Sequence, residues 1–119
     1  MLVVEDDADG AESLRAALQL DGHEVRISST VDDALVVASS FLPDVAICDV
    51  GLPGTDGYEF ARRARMNVRL GAMRIVALTG YAAPDDKKLA ADAGFDTHMT
   101  KPASMNAIRS LLDSVSLPN

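Results

Sequence analysis

Five short apolar runs, each followed by a stretch with helical periodicity, constrain this chain more than any other feature of its sequence. Met1-Leu2-Val3-Val4 stops at Glu5, Asp6 and Asp7, after which Ala11, Leu14, Ala17 and Leu18 recur at helical spacing until Asp21-Gly22. Val25-Arg26-Ile27 predicts a short second strand. Thr30 then predicts a helix N-cap ahead of an apolar face of Val31, Ala34, Leu35 and Ala38, broken at Pro43-Asp44. Val45-Ala46-Ile47-Cys48 is continuously apolar, the pattern of a parallel strand covered on both faces. A loop of glycine and proline, residues 51–57, leads to a helix from about Tyr58 to Met66. Arg74 to Leu78 reads as the fourth strand, Pro84 opens a helix running to Ala93, and Gly94 is its C-cap. Thr97 to Thr100 is the fifth strand, and Met105, Ile108, Leu111, Leu112 and Val115 line one face of a last helix.

Strict alternation with short connections implies an α/β fold, (βα) five times, with a doubly wound five-stranded parallel sheet and right-handed crossovers. In such sheets a ligand lies outside the carboxyl ends of the strands, where the strand order reverses. At 119 residues the chain is expected to form one domain, 1–119. Its net charge of −7 argues against nucleic acid as a partner, because such binding needs a basic surface to displace counterions. A single cysteine, Cys48, excludes an internal disulfide framework and a multi-cysteine zinc site and fits a reducing compartment. No apolar run approaches the roughly 18 residues of a membrane span, so the expectation is a cytoplasmic protein with no membrane contact. Met1 to Val4 enters a strand at once, so either the strand starts the protein or an upstream segment has been removed.

The carboxyl ends of the strands collect chemistry. Glu5, Asp6 and Asp7 follow the first, Asp49 the third, Thr79 the fourth and Lys101 the fifth. Each is unremarkable alone, since acids are common in loops and at helix N-termini. Together at one edge the carboxylates would repel unless a cation sat among them, and hard oxygen ligands suit Mg2+. A lysine and a threonine beside them suit the oxygens of a phosphoryl group.

This set resembles the response regulator receiver domain of two-component signalling, over essentially the whole chain. Val3-Val4-Glu5-Asp6-Asp7 is similar to the family's first strand and acidic pair, and the segment from Asp49 through Pro53 to Gly57 to its phosphoacceptor loop. Ala77-Leu78-Thr79-Gly80 resembles its fourth strand end, and Lys101-Pro102 its fifth. The resemblance implies the flavodoxin-like strand order 2-1-3-4-5. It makes Asp49 the nucleophile that takes a phosphoryl group from a phosphohistidine on a histidine kinase or histidine phosphotransfer protein. It implies Mg2+, with Mn2+ as a substitute, held by Asp6, Asp49 and the backbone carbonyl of Gly51, with Glu5 acting through water; Asp7 is a further acid beside them. Lys101 would pair with Asp49 before reaction and with the phosphoryl oxygens after it, while the Thr79 hydroxyl reports the phosphoryl group and Gly80 leaves its approach open. The Lys101-Pro102 bond resembles the family's cis peptide. The face of the fourth helix, fifth strand and fifth helix would regulate a partner or output domain. Such a domain assists its own phosphorylation and dephosphorylation without turning over a small-molecule substrate.

The sequence departs from the pattern at His98, where the family often places Tyr or Phe. A titrating switch is one reading of it, and a half-exposed histidine that merely tolerates the position is the other. Tyr81 and Gly51 flank the path of an attacking water in this family, so a bulky Tyr81 would slow hydrolysis, or its ring would simply pack on the surface. Five arginines between Arg62 and Arg74 read as a solvated helix face ahead of a docking patch for an acidic partner. Cys48 reads as a small core residue, and the five methionines as core or edge filler. Phe95-Asp96-Thr97-His98-Met99 resembles receivers attached to hybrid histidine kinases. A Mg2+-dependent phosphohydrolase with an aspartyl nucleophile is the competing reading, weakened because its usual second aspartate would fall at Gly51. A flavin binder would need a phosphate-binding loop where Glu5-Asp6-Asp7-Ala8 would repel phosphate.

Overall fold

The computed structural model describes residues 1–50, 57–79, 92–100, 106 and 108–110. Its five strands are β1 (Leu2–Val4), β2 (Arg26–Ser28), β3 (Val45–Asp49), β4 (Arg74–Thr79) and β5 (Thr97–Thr100). They form one sheet in the order β2-β1-β3-β4-β5 with every neighbouring pair parallel. Three helices among the described residues are α1 (Ala8–Leu20), α2 (Val31–Phe41) and α3 (Gly57–Met66), and a 3-10 turn, Val68–Leu70, leads into β4. The doubly wound parallel architecture and the order expected from the resemblance are both present.

The continuous apolar runs are explained by what lies on each face. Strand side chains alternate between faces with a period of two. Leu2, Val4, Ala46, Cys48, Ile75 and Ala77 pack against Val31, Ala34 and Ala38 of α2 and Phe60, Ala61 and Ala64 of α3. The residues between them, Val3, Val45, Ile47, Val76 and Leu78, pack with Leu18 of α1 and with Ile108. Alanines on both sides of the first interface let α2 and α3 approach closely, and the ring of Phe60, fully buried, fills the space they leave. Cys48 is a fully buried core residue of that layer, as expected.

Local signals set most boundaries. The Thr30 hydroxyl accepts the Asp33 N–H at 3.2 Å, satisfying one of the donors that a helix start leaves open. α2 ends one residue before the expected break: Leu42, preceding Pro43, takes the left-handed conformation with φ 51°, and its N–H still bonds Ala38 O at 2.8 Å. The second strand is shifted one residue from its expected place, because Arg26 to Ser28, and not Val25, pair with Leu2 to Val4. Two side-chain assignments need correction. Met66 is 82% exposed at the end of α3 and fills no core, whereas Met73 is buried. The arginine run is not uniformly solvated, since Arg65 turns inward, as described below.

In the layer of α1 and Ile108, Arg109 forms a two-pronged pair with Asp21 (2.8 and 3.1 Å), joining the C-terminal helical residues to the end of α1. The Arg109 hydrogen bond holds the Asp21 carboxyl below its ordinary pKa.

Truncating Phe60 to Ala leaves a cavity between alanine-lined surfaces that cannot readily collapse. Phe60→Ala is expected to lower stability by about 3–5 kcal/mol, seen as a reduced urea midpoint with an unchanged m value.

Candidate functional site

A strand buried on both faces can expose polar groups only where it ends. β3 runs through five buried residues, and the last of them, Asp49, is 7% exposed. Asp49 lies opposite Leu78 in the β3–β4 register, and the ladder continues one step beyond it through Val50 N–H to Leu78 O at 3.2 Å. The next residue of β4 is Thr79, paired with Thr100 of β5. Asp49, Thr79 and Thr100 therefore stand at one carboxyl edge.

β1 delivers the acids to the same edge. Glu5 N–H bonds Ser28 O at 2.9 Å, carrying the β1–β2 pairing one residue past the strand and leaving Glu5 buried, 8% exposed. The chain then turns: Asp6 N–H donates to Glu5 Oε2 at 3.1 Å, and Asp7 is the N-cap of α1, with its carbonyl accepting the Ala11 N–H at 2.9 Å. Carboxylate oxygens of Glu5, Asp6 and Asp49 all lie within 4.8 Å of one another. Asp6 is the exposed member, so the group opens to solvent on one side and is closed by protein on the other.

Three carboxylates at this spacing concentrate negative charge in a partly desolvated corner, a cost that a hard divalent cation relieves. The donor set is all oxygen, which fits Mg2+ or Ca2+ and not a metal that selects thiolate or imidazole. Asp7 lies outside this group. Its carboxylate leans over α1, where a Cβ on Gly10 would come within 3.0 Å of Asp7 Oδ2.

A residue missed in the sequence reading also shapes the site. The loop was expected to include Gly57, yet Gly57 is the first residue of α3, buried, with its N–H bonded to Val50 O at 3.3 Å. A Cβ there would meet Asp49 O at 2.6 Å and Val50 Cα at 2.8 Å. Helix α3 can start against the back of Asp49 only because this residue has no side chain. The signal was in the sequence, a glycine immediately before a helical pattern and eight residues after an aspartate, but spacing alone does not show which backbone it approaches.

His98 lies within β5 opposite Ala77 and is half-buried, as are its neighbours Thr97 and Met99. Gly51, Gly80, Tyr81, Lys101 and Pro102, all named in the sequence reading, lie outside the described residues.

The sequence model described as the response regulator receiver domain matches residues 1–113. The chain is 35% identical over 112 residues to the KDP operon transcriptional regulatory protein KdpE of Escherichia coli K12, covering 94% of this chain and 48% of that protein, so it spans about half the length of that relative. It is 34% identical over 102 residues to an uncharacterised 14.6 kDa protein of Leptolyngbya boryana, covering 86% of this chain and 78% of that one. Among solved structures it is similar to the Vibrio cholerae chemotaxis protein CheY4, with a TM-score of 0.91 at 28% identity over 96% of this chain and 95% of the other.

The close approach at Gly57 makes a sharp prediction. In Gly57→Ala the methyl group meets main-chain atoms that cannot rotate away, so a loss of about 1–3 kcal/mol is expected, with amide chemical-shift changes concentrated at Asp49 and Val50. Unchanged shifts at those two residues would show that α3 does not rest on them.

Proposed function

We propose, since the chain belongs to the response regulator receiver domain family, that the Asp49 carboxylate accepts a phosphoryl group from a phosphohistidine. The observation that supports this most directly is the buried Asp49 at the end of the central strand, with the Glu5 and Asp6 carboxylates beside it. One Asp49 oxygen attacks phosphorus in line with the departing imidazole nitrogen of the donor. The P–N bond breaks, its electron pair stays on that nitrogen, and an acyl phosphate forms on Asp49. Hydrolysis by water attack at phosphorus returns the free carboxylate and inorganic phosphate.

Asp6 and Asp49 are suited to ligate Mg2+ directly, with the Gly51 carbonyl as a third ligand and Glu5 acting through water. Bound there, the ion neutralises charge on the transferring group. Glu5 and Asp6 set the local negative potential that draws the cation in, and the backbone bond from Asp6 N–H to Glu5 Oε2 orients the pair. Lys101 supplies a positive charge to the phosphoryl oxygens and Thr79 a hydroxyl that follows them. Gly80 leaves room for that approach.

Readout then falls to the surface that includes β5 and His98. The donor is a histidine kinase or histidine phosphotransfer protein, and the output is a partner or attached domain. The whole relative KdpE is named as a transcriptional regulator and is about twice as long as this chain, which supports an output domain outside these residues. Phe95-Asp96-Thr97-His98-Met99 supports a hybrid histidine kinase as a second parent.

Incubation with acetyl phosphate and Mg2+ followed by intact-mass analysis tests the reading. A gain of about 80 Da, one phosphoryl group on a carboxylate, is expected with Mg2+, absent with chelator and absent in Asp49→Ala. In Asp6→Asn the Mg2+ concentration needed for half-maximal incorporation is expected to rise about 10-fold or more. Incorporation that persists in Asp49→Ala would place the nucleophile elsewhere.

A further inference from the structure

Arg65 sits in the last turn of α3, four residues after the buried Ala61, and its side chain is only 25% exposed. All three guanidinium nitrogens are engaged. Nε donates to Gly94 O at 2.9 Å, Nη1 to Met73 O at 2.7 Å and to Gly71 O at 3.3 Å, and Nη2 to Asp96 Oδ2 at 2.6 Å. The same Asp96 oxygen accepts the Ile75 N–H at 2.8 Å, while Asp96 N–H donates to Ile75 O at 2.8 Å. Arg74 adds a longer contact to the other oxygen, 3.7 Å from Nη1 to Asp96 Oδ1. The turn before Asp96 is moulded to Arg65 as well: Gly94 has φ +115°, and a Cβ on it would come 2.7 Å from Arg65 Cγ.

β5 is an edge strand of four residues, paired with β4 alone among the described residues. A four-residue ladder has few bonds of its own to hold its register, and a slip of one residue exchanges the two faces of a strand. Here such a slip would drive His98 toward the layer where Met99 now packs with Val76 and Leu78. Asp96 immediately precedes the strand and holds Ile75 through both its backbone and its carboxylate, so a slip breaks both bonds at once. The carboxylate is in turn held by an arginine anchored on three carbonyls.

We propose that Arg65 is a positioning residue: through Asp96 it clamps the start of β5 to the far end of α3 and so fixes the height at which β5 reaches the carboxyl edge beside Asp49. α3 is tied at its other end to Asp49 and Val50 through Gly57, so one rigid helix sets both distances. The consequence for phosphoryl transfer rests on the function proposed above. The clamp itself does not.

The test uses Arg65→Gln, Asp96→Ala and Arg65→Lys at a temperature where circular dichroism shows each fully folded. Amide exchange of residues 97–100 is expected to rise about 10-fold in Arg65→Gln and Asp96→Ala, with Val3 and Ile47 unchanged. The maximal rate of incorporation from acetyl phosphate is expected to fall about 10-fold, with the half-saturating donor concentration unchanged, as displacement of a group near the reacting atoms does. Arg65→Lys, which keeps the charge but offers one donor nitrogen in place of three, is expected to fall between. Exchange unchanged at 97–100, or raised equally in β1 and β3, overturns the clamp. A lower melting temperature with a wild-type rate reduces Arg65 to a structural role and overturns the positioning. Wild type that gains no phosphoryl group defeats the proposed function, and the exchange pattern still decides the clamp. Should Arg65→Gln not fold, Arg65→Lys and Asp96→Ala carry the same two readouts.

Discussion

Coverage of the sheet on both faces is the constraint from which the rest of this structure follows. Val45 to Cys48 sit between one helical layer on the Ala46 and Cys48 side and another on the Val45 and Ile47 side, so every position along the strand is committed to packing. Polar chemistry is admitted only where the strand ends, on its last buried residue. That is why Asp49 and Glu5, the two acids with the least exposure among the described residues, both stand at carboxyl ends of neighbouring strands. Parallel pairing then does what no local motif can do: it brings the ends of β1, β3 and β4 to one edge although 73 positions separate Asp6 from Thr79 in sequence.

The same constraint separates two kinds of charge. Arg15 with Glu12, Arg62 with Glu59 and Arg63 with Asp32 are exposed pairs on helix surfaces, and pairs of this kind contribute little because water screens them and side-chain entropy opposes them. Glu5 and Asp49 are instead taken out of water by the fold, where a carboxylate depends on the groups around it to hold its charge. Carboxylates gathered as closely as Glu5, Asp6 and Asp49 favour a cation or a reacting group that takes up their field. That gathering marks this edge as a candidate site on its own chemistry, beside the resemblance.

The sequence carried the architecture well because the apolar runs and helical stripes obey two different periods, 2.0 and 3.6, and each covers several residues. All five strands are where those runs lie, with β2 displaced by one residue because a three-residue strand in which Arg26 is exposed gives the pattern little to hold on to. The acidic cluster was legible too, since its members sit directly after apolar runs. Gly57 and Arg65 were not. Gly57 is defined by the backbone of Asp49, and Arg65 by carbonyls of Gly71, Met73 and Gly94 that belong to other segments. Requirements set by main-chain atoms elsewhere in the fold leave almost no mark on local composition.

Arg65 shows why a run of like residues should be divided by helix face before it is interpreted. Arg62 and Arg63 follow the buried Ala61 by one and two positions and point to solvent, 54% and 44% exposed, with carboxylates as partners. Arg65 follows Ala61 by four, which places it over the buried stripe and against β4 and β5. A lysine there could satisfy the Asp96 charge but not four separate acceptors spread around a planar fork. The guanidinium is therefore selected by geometry more than by charge. Three of its acceptors are main-chain carbonyls at the base of the two strands whose far ends are Thr79 and Thr100, so the arginine that looks least like part of the site is the one most directly built into its frame.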